Sequence, residues 1–210
     1  GLFSLIKGRR LISYDLPGHG GRNETVSGYQ IQDLADDLER LLDYCQIKSV
    51  SIVGVSIGGL VAQAFAAAHP ERTNSVVLVN TVSVYPESFA ANLTARAKLV
   101  QEEGLDSIID ATLNMWFTSE YLERDTETVQ LVRSMLLTAS PKGYAQACHA
   151  LVSADLQSEA SEITAPTTII CGSEDLTAFT DGARWLHQAI EGSQLHWIEG
   201  SKHGAALESQ

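Results

Sequence analysis

Cysteine is scarce, with three residues among 210, Cys45, Cys148 and Cys171, odd in number and widely spaced. That spacing excludes a disulfide framework and a zinc-ligand pattern, and makes a reducing, cytoplasmic setting the expectation. Positive charge is scarce too. Fourteen Lys and Arg face 26 Asp and Glu, a net charge of −12, and no Lys/Arg-rich block occurs. Nucleic acid and anionic membrane surfaces are thereby excluded as electrostatic partners. Long apolar runs are missing as well. A stretch such as Leu60 to Ala68 is interrupted by Gln63, far short of the roughly 20 residues that span a bilayer. The first residue is Gly1 rather than Met, so the lack of a targeting segment carries little weight. Two sequons, Asn23-Glu24-Thr25 and Asn92-Leu93-Thr94, have no meaning in a cytosolic protein.

What is present is an alternation of short β-branched runs with longer helical patterns. Arg9 to Asp15 reads as a strand ending at the turn Leu16-Pro17-Gly18-His19-Gly20-Gly21. From Tyr29 to Cys45, Ile31, Leu34, Leu38, Leu41, Leu42 and Cys45 recur at three- and four-residue steps, which predicts an amphipathic helix. Ser49 to Gly54 is nearly all apolar, as expected of a parallel strand covered on both faces. A helix over Gly58 to His69 and a strand over Ser75 to Asn80 complete a crossover unit. Strands resume at Thr167 to Cys171 and Gln194 to Ile198, with a helix around Gly182 to Ile190 between them. The intervening Thr81 to Pro166 has no strand-like run. Its repeated 3.6-residue pattern predicts a helical insertion of about four short helices. The class is α/β, with a mostly parallel sheet flanked by helices.

Gly54-Val55-Ser56-Ile57-Gly58 fits the G-x-S-x-G nucleophile elbow, placed between a buried strand and a helix as that motif requires. The competing reading is a tight Gly-rich turn. A serine hydroxyl needs a base and a group that fixes the base's tautomer. Of six histidines, His69, His149, His187 and His196 sit in helical or strand patterns and read as structural or solvent-facing. His19 precedes the serine, whereas the expected chain order is Ser, acid, His, which selects His203 in Gly200-Ser201-Lys202-His203-Gly204. Asp175, directly after the Thr167 to Cys171 strand, is the chosen acid, with Glu174 and Asp181 as alternatives. The backbone N–H of Ile57 is the first oxyanion-hole donor. No metal or organic cofactor is required.

These residues resemble an α/β-hydrolase and, more narrowly, the 3-oxoadipate enol-lactonases of the β-ketoadipate pathway. The narrower resemblance rests on Tyr14-Asp15 through Gly18-His19-Gly20 and on Gly54 to Gly59. It continues through Met115-Trp116-Phe117-Thr118, Met135 to Thr138, Gly143-Tyr144-Ala145, Ala150 to Leu156 and Ile163 to Pro166. It implies a hydrolase core in two parts, residues 1–81 and 166–210, around a helical cap at 82–165. It also implies three strands before Arg9 and a closing helix beyond the C-terminus. The third of those strands belongs between Arg9 to Asp15 and Ser49 to Gly54, and its place would otherwise be a gap of about 10 Å. The His-Gly-rich loop that supplies a second oxyanion donor has no counterpart in this chain, and a partial sequence of a longer protein is the expectation.

The implied reaction opens a small carboxylate-bearing lactone through an acyl-enzyme, with Ser56 as nucleophile, His203 as proton carrier and Asp175 orienting it. Because the chain as a whole repels an anion, a local cation should compensate. Arg96, Lys98, Arg133 and Lys142 are the candidates, each weighed against a solvated helix-face charge; Arg133 is chosen, with Trp116 as a pocket wall or core residue. Alternatives are a carboxylesterase, a C–C hydrolase or a haloperoxidase-like perhydrolase of the same fold, or a noncatalytic binder built on it. The expected partner is a small ester or lactone, with no nucleic acid and no membrane.

Overall fold

Parallel strands need long return connections, and the amphipathic segments between the apolar runs supply them. The structure, a computed structural model, describes residues 6–22, 28–124 and 127–208; the first sequon lies outside them. Helix α1 (Ile31–Tyr44) buries Ile31, Leu34, Ala35, Leu38 and Leu42 along one face. Its first turn is closed by the Gln30 N–H, which donates to Asp33 at 2.7 Å. Strand β1 (Val50–Val55) runs into helix α2 (Ile57–Ala68), and a 3₁₀ turn at Pro70–Arg72 leads to strand β2 (Thr73–Val79).

Six helices then follow among the described residues: α3 (Glu87–Glu103), α4 (Ile109–Trp116), α5 (Ser119–Glu123), α6 (Glu127–Thr138), α7 (Pro141–Ser153) and α8 (Gln157–Glu162). Periodicity predicts about four short ones. The excess arises where Thr118 and Ser140 accept backbone N–H bonds as N-caps and start new helices inside a continuous apolar pattern. Strand β3 (Thr167–Gly172), helix α9 (Thr177–Ala189), strand β4 (Gln194–Ile198) and the short helix α10 (Ala205–Glu208) complete the described chain.

The four strands form one parallel sheet in the order β1-β2-β3-β4. Val55 pairs with Val79, Val79 with Ile170 and Gly172 with Ile198, so all four carboxyl ends open on one edge. Leu34 and Leu42 of α1, Leu60 and Phe65 of α2, Leu78, Ile169, Phe179 and Leu186 lie fully buried in one core. Each such side chain contributes about 1.5–3 kcal/mol on leaving water.

Two expectations fail. Residues 9–15 form no strand, because a strand needs a partner for its backbone groups and none of the described residues pairs with them. Strand β1 is not covered on both faces either: alternate residues point to opposite sides, and Val53 and Val55 are 53% and 44% exposed. No helix among the described residues is long and apolar enough to cross a membrane.

Candidate active site

The turn at the end of β1 is tight enough to dictate its residues. A Cβ on Gly54 would overlap the Gly58 carbonyl, and one on Gly59 would strike the Thr81 side chain. Between them Ser56 takes φ 53°, ψ −117°, a backbone conformation that costs a non-glycine residue about 1–2 kcal/mol. It is held there by its N–H on Val79 O at 3.0 Å and by Thr81 Oγ1, which donates to Ser56 O at 2.7 Å. The serine side chain makes no capping bond to α2. Its hydroxyl meets instead the phenol of Tyr85, which deep burial and the nearby Asp175 charge keep protonated against the opposing effect of the Ser56 hydrogen bond. Ile57 is the first residue of α2, so its N–H has no intrahelical acceptor and is available to an oxyanion.

Asp175 and His203 reach the same edge from loops after β3 and β4. Nδ1 of His203 lies 2.9 Å from Oδ2 of Asp175. The second carboxylate oxygen accepts the Leu176 N–H at 2.7 Å. Both residues are buried, Asp175 to 8% exposure and His203 to 6%. With Nδ1 donating to the carboxylate, Nε2 of the imidazole is left to exchange a proton. The imidazole packs against Phe179, centroids 4.2 Å apart, and has the Trp116 indole at 6.2 Å. The alternatives lie elsewhere: Glu174 is exposed, and Asp181 is exposed and paired with Arg184 at 3.0 Å.

The loop carrying His203 is clasped by the insertion. Gly204 N–H donates to Trp116 O at 2.7 Å, Lys202 Nζ to Asn114 O at 3.0 Å, and Tyr121 OH to Leu207 O at 3.2 Å. The Thr118 hydroxyl and N–H both bond the Glu208 carboxylate. Trp116 therefore does stand beside His203, and its backbone is as much involved as its ring.

Arg133 does not join this group. It is paired with Asp110 at 2.8 Å and lines a separate cavity of about 330 Å³ with Leu113, Asn114 and Leu122. An arginine opposite a free carboxylate one helix away satisfies its charge there. Lys98 is exposed beside Glu102, and Lys142 is exposed. Arg96 is different: half-buried, it makes no ion pair among the described residues and donates to Tyr144 OH at 2.7 Å and Thr112 Oγ1 at 2.6 Å. The buried Cys148 thiol, pushed up to about 11 by burial against the opposing Arg96 charge, lies within electrostatic reach of Arg96 and of Tyr85.

Two residues at the site escape sequence reasoning, Tyr85 and Asn80. Asn80 Nδ2 donates to Asp175 Oδ2 at 2.7 Å. No spacing rule points to either; the one available signal is Asn80's position at the end of a buried strand beside the elbow.

The chain also resembles known proteins over most of its length. Residues 2–210 match the family described as alpha/beta hydrolase fold. The chain is 37% identical over 192 residues to 3-oxoadipate enol-lactonase 2 of Acinetobacter baylyi, covering 91% of this chain and 71% of that one. It is 30% identical to 3-oxoadipate enol-lactonase 1 of the same organism, with the same coverage. Among solved structures, the enol-lactonase from Burkholderia xenovorans LB400 superimposes with a TM-score of 0.87 at 34% identity, over 93% of this chain and 74% of that one. An elbow serine, an acid and a histidine at one sheet edge, a helical insertion above them and a family match over nearly the whole length have one reading: this chain belongs to the alpha/beta hydrolase family.

Proposed function

We propose that the protein is a serine-dependent carboxylic ester hydrolase that opens a small carboxylate-bearing lactone, 3-oxoadipate enol-lactone, in the catabolism of aromatic compounds in the cytoplasm. The observation that carries the reading is the buried Asp175–His203 pair at the sheet edge where the strained Ser56 also stands. The enol-lactonase relatives support the substrate. In this reading residues 82–165 act as a cap over a core made of 1–81 and 166–210.

His203 Nε2 takes the proton of Ser56 as Oγ attacks the lactone carbonyl, and the developing oxyanion accepts the Ile57 N–H. The tetrahedral intermediate collapses with cleavage of the ring C–O bond. His203 returns the proton to the departing enol oxygen, which relaxes to a ketone. Water, deprotonated by the same imidazole, then frees the acid from Ser56. Asp175 holds the tautomer throughout and stabilises the imidazolium. Arg96, in place of Arg133, faces the carboxylate of the substrate. No metal or organic cofactor takes part.

Labelling with a fluorophosphonate probe, followed by mapping of the modified peptide, tests the nucleophile; the adduct is expected on Ser56, and its absence sinks the hydrolase reading. Loss of the lactone's ultraviolet absorbance tests the substrate. Turnover of simple aryl esters with none of the lactone would make the protein a carboxylesterase instead.

A further inference from the structure

Asn80 follows the last residue of β2 at φ 45°, in the left-handed region that few side chains adopt, and is 1% exposed. Its N–H is bonded to Ile170 O at 2.9 Å, which continues the ladder to β3. Its Nδ2 donates to Asp175 Oδ2 at 2.7 Å, the oxygen that also faces His203 Nδ1 at 2.9 Å. Weaker contacts of the same nitrogen reach Lys202 O at 3.5 Å and Cys171 Sγ at 3.8 Å. Its Oδ1 is buried with no partner among the described residues. Turning the amide over would set two acceptors against each other at the Asp175 contact, so the oxygen is orphaned because the nitrogen is needed there. A positive φ and an unpaired buried carbonyl are each destabilising, and the sheet requires neither. Both are explained if the side chain is held for Asp175.

We propose that Asn80 is a positioning residue, whose amide fixes the Asp175 carboxylate and shares the charge of the oxygen that faces His203. The proposal rests on the reading of Ser56, Asp175 and His203 as a triad. With two donors on Oδ2, the carboxylate is held in one rotamer and its pull on the imidazolium is tempered. Remove the amide and Oδ2 belongs to His203 alone, with Oδ1 still on the Leu176 N–H; the imidazolium is favoured and the free base appears only at higher pH. Other groups face this carboxylate. The Cys171 thiol on β3 is pushed up to about 12 by burial and by Asp175, with Arg184 of α9 opposing, and Tyr85 stays a neutral phenol. None of these changes charge between about pH 5 and 9, so an acid limb that moves reports the Asp175–His203 pair.

Asn80→Gly is the informative variant, because glycine suits a positive φ and only the amide is lost. In the full chain it is expected to lower kcat/KM about 10- to 100-fold, through kcat rather than KM, and to move the acid limb of the profile to higher pH. The low-field proton resonance of His203 Nδ1 should change position as well. Asn80→Asp, nearly isosteric and tolerant of this backbone, places a second carboxylate on Asp175 and moves the limb further the same way; it carries the same readouts if the glycine variant does not fold. An unchanged limb together with an unchanged resonance overturns the proposal. The resonance needs no substrate. A chain that takes no phosphonate and hydrolyses no ester ends the triad reading, while a resonance moved by Asn80→Gly still establishes the amide's hold on the Asp175–His203 pair.

Discussion

Three non-glycine residues among those described take a positive φ: Gln46, Ser56 and Asn80. Two of the three stand at the candidate active site, as expected where surrounding structure pays for strain that function uses. The strain at Ser56 can be separated from its hydroxyl. Ser56→Ala and Ser56→Gly both delete the proposed nucleophile and both leave Tyr85 without its partner, so they differ chiefly in tolerance of φ 53°. The glycine variant should be the more stable by about 1 kcal/mol, a rise of a few degrees in Tm by circular dichroism. Both should lose turnover by a factor of about a thousand or more. Equal Tm values would mean that the elbow is not strained.

At the level of elements, the clasp between the insertion and the His203 loop makes a sharper claim than the fold alone. A Cβ on Gly204 would come within 2.8 Å of the Phe117 ring and 2.9 Å of Trp116 O. The ring is fully buried and the carbonyl already accepts the Gly204 N–H, so neither can give way cheaply. Gly204→Ala is therefore expected to cost about 1–3 kcal/mol in denaturant unfolding and to depress kcat with little change in KM, because the displaced group is the proposed base. Wild-type kcat in a destabilised variant would show that the clasp serves folding only. Elements of this kind were partly legible in the sequence. The runs that became β1, β2, β3 and β4 are buried or half-buried apolar segments, and their pattern suffices. Arg9 to Asp15 shows the limit, since alternation describes a side-chain pattern and says nothing of whether a neighbouring strand exists. Ser56, Asp175 and His203, the proposed triad, can be singled out from the sequence because motif and chain order constrain them. Asn80, Tyr85 and the Trp116 carbonyl were not, because backbone groups and contacts between distant segments leave no periodicity.

On the scale of the whole molecule, the net charge of −12 and the proposed anionic substrate are in conflict unless a short-range attraction outweighs a long-range repulsion. The two have different ranges and so respond differently to salt. Repulsion from dispersed surface carboxylates is screened beyond about 8 Å at physiological ionic strength. A half-buried guanidinium in contact with a carboxylate is screened much less, and Arg96, seated on the hydroxyls of Tyr144 and Thr112, has that character. Raising salt from about 10 to 150 mM should accordingly increase kcat/KM for the anionic lactone and leave a neutral ester of similar size unaffected. Arg96→Met, which keeps an unbranched apolar stem while deleting the charge, should raise KM for the lactone about tenfold or more and change KM for the neutral ester little. Arg133→Met, which breaks only the exposed pair with Asp110, should do neither. Steady-state kinetics on the two substrates decides the matter: a KM effect at Arg133 without one at Arg96 would return the carboxylate site to the outer cavity, and equal effects of Arg96→Met on both substrates would make Arg96 a structural tie between α3, α4 and α7.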